Sequence, residues 1–296
     1  MDMERTCEFC ERDLDNLIKP RKPDTHKGDY GKVFLLCGSE GYTGAAVMSA
    51  KAASRAGAGV VYLGVPRSIY PIVASMLTGE VVLPLADDGN GRLSLAAMHG
   101  ISDMMAKADA CLVGCGLSQS EDIKNIVRTI VEETSVPTVL DADGINALRG
   151  NIDLLKSAKA NIVLTPHAGE FERLTGVRVN RENAVYTAKE ASRTFSAVFL
   201  LKGHRTVTAS PDGRVFVNTT GNPGMAKGGS GDILSGIIVA LLGQGLSAFP
   251  AAAAGAYIHG KAGDICANKI GEFGMTPQDI IDRIPEVLKK YNSREW

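Results

Sequence analysis

The sequence has no basic excess. Over 296 residues, 32 lysines and arginines meet 33 aspartates and glutamates, a formal net charge of −1. Binding nucleic acid or an anionic membrane surface needs a positive patch, and this balance points to neither partner. No apolar run reaches the roughly 20 residues needed to span a bilayer. The opening residues, MDMERTCEFCERDLDNL, are acidic and polar, unlike a signal peptide. A cytoplasmic location is therefore expected. Cysteine is sparse: of six, only Cys7 and Cys10, in CEFC, have metal or redox spacing. A zinc site needs about four ligands and no second such pair exists, so no protein-held metal is expected. Two nucleotide fingerprints are also missing. There is no G-x-x-x-x-G-K-[ST] loop, and no G-x-G-x-x-G after an early strand with an acid about 20 residues on. Low-complexity linkers and repeats are absent too. We expect one domain over residues 26–296, with residues 1–25 a polar leader.

What is present is an alternation. Hydrophobic residues make up 45% of the chain, enough for a sizeable core. They gather in short runs at 32–38, 59–66, 80–85, 110–116, 137–143, 161–166 and 197–203. Each run has the length of a strand, and several are apolar throughout, as strands buried on both faces are. Segments of helical period lie between them, at 43–56, 119–133 and 180–195. This order predicts an α/β fold: a three-layer α/β/α sandwich with a mostly parallel central sheet. Beyond residue 204, RTVTASPDGRVFVNTT reads as a hairpin around PDG. Helical sequence then follows at about 230–243, 249–268 and 277–291.

Ligands in an open parallel sheet bind outside the carboxyl ends of the strands. The segments there are SEGYTGAA, CGLS, DADGINAL, HAGEFERL and HRTVT, each with glycine, a polar group, or both. The stretch GNPGMAKGGSGDILSG, residues 221–236, has six glycines around one acid, Asp232, and an apolar helix begins directly after it. Unpaired N–H groups and the helix dipole make such a helix start an anion site, and glycines let phosphates come close. Asp232 is either a local cap or a general base that takes a proton from a hydroxyl attacking a phosphoryl group.

GNPGMAKGGSGDILSG, with LTPHAGEFERLTG, LKGHRTV, DADGINAL and HKGDYGKVFLLCGSEGYTGAA, resembles the ADP/ATP-dependent NAD(P)H-hydrate dehydratase family, whose fold is ribokinase-like. The match runs in order from His26 to beyond residue 275. The resemblance implies repair of the S epimer of hydrated NADH or NADPH (NADHX, NADPHX): phosphorylation of the C6 hydroxyl, then loss of phosphate helped by the ring nitrogen. It implies Asp232 as catalytic acid and hydrate contact, with Ala45 or Ala46, Gly116 and His167 as further hydrate contacts. It places the adenine nucleotide against Lys202, Gly203, His204, Arg205, Thr206 and Gly231, with Asn222 in the same cleft. ADP or ATP is the implied co-substrate, accompanied by Mg²⁺ held largely by phosphates and water. Many bacterial members carry an epimerase domain, which about 25 residues cannot hold, so an epimerase would be a separate chain. A homo-oligomer is expected.

The chain departs from the family pattern in three places. Cys115 and Ala168 stand where proline is usual, and Ser230 where threonine is usual. Local readings stay open beside the functional ones. His167 can start a helix, Lys202 can be a solvated strand-end charge, Asp141 and Asp143 can cap a turn, Lys227 can be a loop lysine and His259 a packed core histidine. The alternative activity is a ribokinase-like kinase for a vitamin-precursor alcohol or a sugar.

Overall fold

Alternation along β2 shows how the layers arise. Val33 and Leu35 feed one face of the sheet, Phe34 and Leu36 the other, and all four are fully buried. A strand buried on both faces has no polar side, which is why the runs read as continuously apolar. The structure, a computed structural model, describes residues 6–292. The strands are β1 (Thr6–Phe9), β2 (Lys32–Leu36), β3 (Val60–Pro66), β4 (Val81–Leu85), β5 (Ala110–Val113), β6 (Thr138–Leu140), β7 (Ile162–Leu164), β8 (Val198–Leu201), β9 (Val207–Ala209) and β10 (Val215–Asn218). The helices are α1 (Glu11–Leu17), α2 (Thr43–Arg55), α3 (Tyr70–Ser75), α4 (Met98–Met105), α5 (Glu121–Glu133), α6 (Asp143–Asn146), α7 (Ala168–Thr175), α8 (Ala184–Phe195), α9 (Ser230–Gly243), α10 (Ala248–Ile270) and α11 (Pro277–Leu288).

One sheet of ten strands runs in the order β1-β10-β9-β8-β7-β6-β5-β2-β3-β4. Strands β2 to β8 pair in parallel, and β9 is antiparallel to both of its neighbours. Helices α2, α9, α10 and α11 cover one face; α4, α5, α7 and α8 cover the other. None of the helices in the described residues is long and apolar enough to cross a membrane.

Residues 6–17 join the sandwich, although the sequence read as a leader there. β1 pairs with β10, and only its last side chain is buried. That residue, Phe9, sets its ring against Phe216 and Tyr257, 5.2 and 5.5 Å between centroids. Lys290 Nζ donates to Glu11 (2.5 Å) and Asp15 (2.6 Å), fixing α1 to the far end of the chain. One aromatic anchor on an otherwise exposed edge strand leaves almost no periodic signal to read. CEFC lies on this extended backbone. Three extended steps separate Cys7 and Cys10 by about 10 Å, beyond the reach of a disulfide.

α9 is buried nearly all round between α2 and α10, and glycines permit the approach. A Cβ on Gly236 would lie 2.4 Å from the Ser49 carbonyl oxygen, and one on Gly255 would lie 2.5 Å from Ile238 Cγ1. The obstacle at Gly236 is backbone, which cannot swing aside. Gly236→Ala should therefore cost about 1–3 kcal/mol despite alanine's better helix propensity. Urea unfolding of the two proteins measures this, and equal stability would refute the close approach.

Candidate active site

The chain passes from β2 out to β3 and β4, then returns to β5 on the opposite side of β2. Strand order reverses there, and a crevice opens at the carboxyl ends. Its walls are Cys37 and Gly38 after β2, and Gly114, Cys115 and Gly116 after β5. The Gly38 N–H donates to the Cys115 carbonyl at 2.9 Å and closes the gap between the two ends. Asp141 follows β6, Thr165 follows β7 and Lys202 follows β8. The start of α9 comes down among them.

Asp141 is almost wholly enclosed, with 1% of its surface exposed. It accepts from Lys202 Nζ (2.8 Å), Thr165 Oγ1 (2.8 Å), Ser235 Oγ (2.9 Å) and Cys115 Sγ (3.7 Å). Burial opposes its charge, yet the Lys202 ammonium and the hydroxyl donors hold its carboxyl below the ordinary range. Burial likewise opposes the charge on Lys202, and Asp141 and Glu170 keep that ammonium protonated. Lys202 is thus half of a buried ion pair, not a solvated strand-end charge.

Asp232 is the third residue of α9. Burial, then the negative charge of Asp141, pushes its pKa up to about 7; a hydrogen bond from Cys115 and the Lys202 charge act against that rise. α9 starts from Gly229 at φ 98°, and no side chain caps it. Among the described residues, the N–H groups of Gly231 and Asp232 have no hydrogen-bond partner. The Asp232 side chain makes no capping bond either, so its carboxylate is left to the crevice. A Cβ on Gly231 would sit 3.3 Å from Lys202 Nζ and 3.8 Å from Asp141 Oδ2. Glycine there keeps the path from solvent to the ion pair clear.

A cleft of about 780 Å³ opens at the start of α9, lined there by Ser230, Gly231 and Leu234 but not by Asp232. That volume falls within the ordinary range for a small-molecule site. Lys202, Gly203, His204, Arg205, Thr206 and Gly231, the expected nucleotide segment, all line it, as do His167 and Asn222. His167 is also the N-cap of α7: its Nδ1 accepts from the Gly169 and Glu170 N–H groups at 3.0 and 3.3 Å. Its reading as a helix start is met, and the ring also lies on the cleft. Gly116, at φ 66°, is not part of that lining; an added Cβ there would meet Tyr42 Cβ at 2.8 Å and Ala45 Cβ at 3.0 Å. Ala45 keeps 9% of its surface and Ala46 none, so the Ala46 side chain touches only protein.

Sequence reasoning missed or misplaced several groups. His259 is buried, but it lines the cleft and its Nε2 lies 3.2 Å from Ser230 Oγ. Burial, then the Lys202 charge, lowers its pKa to about 4, so the ring is neutral near pH 7. Lys227 is no free loop lysine, since its Nζ donates to the carbonyls of Phe273 (2.9 Å) and Met275. Asp264 clamps the glycine loop by accepting from Gly221 N–H and Asn222 Nδ2, both at 3.0 Å. Thr165 and Ser235 carried no sequence signal as site residues beyond their place near a strand end and on the first turns of α9.

Sheet order and site together define a ribokinase-like three-layer α/β/α protein with an uncapped helix start at the site. Consistent with this, the chain superposes with a TM-score of 0.84 on the ADP/ATP-dependent NAD(P)H-hydrate dehydratase of Bacillus subtilis crystallised with ATP and Mg²⁺. The two are 28% identical, over 98% of this chain and all of the other. A family model described as NAD(P)H-hydrate dehydratase matches residues 33–286, and the chain belongs to that family. It is 38% identical to the ADP-dependent (S)-NAD(P)H-hydrate dehydratase of Neisseria meningitidis, over 86% of this chain and 84% of that one. Identity reaches 43% with the bifunctional NAD(P)H-hydrate repair enzyme Nnr of Moorella thermoacetica, over 91% of this chain and 51% of that one. The chain thus spans about half the length of that relative.

The raised pKa of Asp232 has a consequence for stability. A carboxyl raised in the fold favours its protonated form, so its ionisation costs stability as pH climbs from the unfolded value, near 4, to the folded value of about 7. The cost is absent below about pH 4 and complete above about pH 7. The neutral Asp232→Asn variant should melt at a higher temperature than the parent at pH 8, by an amount on the order of a few kcal/mol. The gap should close by about pH 4. Melting curves at the two pH values check this, and a variant less stable at pH 8 would contradict it.

Proposed function

We propose that this chain restores NADH and NADPH from the S epimers of their hydrates, using ADP or ATP. The observation that carries the reading is Asp232. It is a carboxylate with a pKa raised to about 7, beside unpaired N–H groups at the start of a helix whose Ser230 and Gly231 line a cleft sized for a nucleotide. Ionised, it accepts the proton of the substrate C6 hydroxyl as that oxygen attacks the terminal phosphorus. The bond from that phosphorus to the rest of the nucleotide then breaks. The N–H groups of Gly231 and Asp232, with Lys202 beneath, stabilise negative charge on the group in transit. The C6–O bond breaks next, pushed by the ring nitrogen lone pair, and phosphate leaves. Loss of a proton from C5 completes the ring double bond.

Lys202 to Thr206 and Gly231 are the proposed nucleotide contacts, and His167, Gly116 and Ala45 the proposed hydrate contacts. The nucleotide set lines one cleft, which supports that grouping; His167 lines the same cleft, while Gly116 and Ala45 pack together outside its lining. The donor set suits Mg²⁺ only as a nucleotide-borne ion. Asp141 is committed to four donors, which leaves Asp232 as the nearby carboxylate for an ion held by phosphates and water. Bound there, Mg²⁺ would neutralise phosphate charge. An epimerase that interconverts the two hydrate epimers is the proposed partner. The Moorella relative, a bifunctional repair enzyme, supports a second activity alongside this one.

Incubating the protein with NADH hydrate and ADP or ATP, and following the absorbance of reduced nicotinamide, tests the reading. Recovery is expected with at least one nucleotide, and its rate should rise as pH passes through about 7. Asp232→Asn should keep nucleotide affinity and lose about 10²–10⁴-fold in turnover, as for removal of a general base. No recovery with either nucleotide, or near-normal turnover in the variant, would overturn it.

A further inference from the structure

The cleft at the start of α9 has a lining of one charge sign. Among the described residues, Arg181, Lys202, Arg205 and Lys227 line it, and no aspartate or glutamate does. A concave wall of positive charge selects an anion. Three of these four cations are already engaged. Lys202 Nζ donates to Asp141 at 2.8 Å, Arg205 pairs with Glu8 on β1, and Lys227 Nζ donates to the carbonyls of Phe273 (2.9 Å) and Met275. Arg181 has no hydrogen-bond or ion-pair partner among the described residues. Its backbone, in contrast, is pinned. Arg181 lies in the turn between α7 and α8, and two asparagines bond across it. Asn180 Oδ1 accepts from the Glu182 and Asn183 N–H groups at 3.0 and 2.9 Å. Asn183 Oδ1 accepts from the Asn180 N–H at 2.8 Å, and its Nδ2 donates to the Arg178 carbonyl at 3.0 Å. These bonds fix the chain on both sides of Arg181, and none of them uses the guanidinium. α7 and α8 lie on the other face of the sheet from α9, so Arg181 brings its cation to the cleft from the other helix layer.

We propose that Arg181 is a phosphate contact for the adenine nucleotide, its guanidinium free and its backbone fixed in advance. The proposal rests on the reading of this cleft as the nucleotide site. A guanidinium suits the task, because its planar fork meets two phosphate oxygens at once and its charge does not titrate near neutral pH. Fixing the backbone beforehand confines the ordering cost of binding to one side chain. Such a contact acts on the phosphates alone, and adenosine gives it nothing to hold. An arginine that merely faces solvent would leave every one of these affinities unchanged.

The test is calorimetric titration of the full chain and of Arg181→Ala, Arg181→Gln and Arg181→Lys with ADP, ATP and adenosine, Mg²⁺ present. Ala and Gln should bind ADP and ATP about 10–100-fold more weakly, as for loss of a hydrogen bond to a charged group, and should bind adenosine as the parent does. Lys should recover part of the loss, since it keeps the charge without the fork. Unchanged affinity for ADP and ATP in the Ala and Gln variants overturns the proposal, as does an equal loss for adenosine. Hydrate turnover separates this from the proposed reaction. Absent turnover with an ADP affinity that depends on Arg181 sinks the reaction alone. Turnover with an ADP affinity indifferent to Arg181 sinks the contact alone.

Discussion

The buried carboxylate of Asp141 organises this molecule. It takes donors from the ends of three further strands, through Cys115, Thr165 and Lys202, and from α9 through Ser235. Without it, Lys202 would keep only Glu170, 3.7 Å away, to balance its charge, and losing one partner of a buried pair costs several kcal/mol. The backbone around it is correspondingly tight. Gly114 holds φ 135° because a Cβ there would meet the Asp141 carbonyl oxygen at 1.8 Å. Ala142 sits at φ 48° without glycine's freedom, a conformation sustained only where neighbours over-determine it.

That one charge also shapes the chemistry. Two carboxylates stand close together, and the environment separates them. Asp141, saturated with donors, stays ionised and inert. Asp232 is mostly buried and has an anion for a neighbour, so its affinity for a proton rises to where a base is useful at neutral pH. Structural and reactive roles thus come from the same pair. The glycine at 231 serves both, since any side chain there would cover the ion pair and crowd an incoming phosphate.

The sequence showed the layers readily. Seven apolar runs became β2 to β8, and PDG turned the β9–β10 hairpin. β1 escaped because a single buried phenylalanine holds it. Asp232 was visible because glycines, acid and apolar helix are contiguous. The hub at Asp141 was not. Its partners lie 24, 26, 61 and 94 residues away, and no local pattern ties a threonine, a cysteine, a lysine and a serine to one aspartate. Only the recurrence of polar residues at strand ends hinted that these ends meet. The roles of His259 and Lys227 depend on where α10 and the loop before α11 lie in space, which no spacing rule conveys.

The central claim is that burial, and then the charge of Asp141, make Asp232 a near-neutral base. Titrating the Asp232 carboxyl in the parent and in Asp141→Asn tests it most directly. The account predicts a parent midpoint of about 7, falling by about one unit or more toward the ordinary carboxylate range once the neighbouring charge is gone. A parent midpoint near 4, or one that does not move when Asp141 is neutralised, would contradict it.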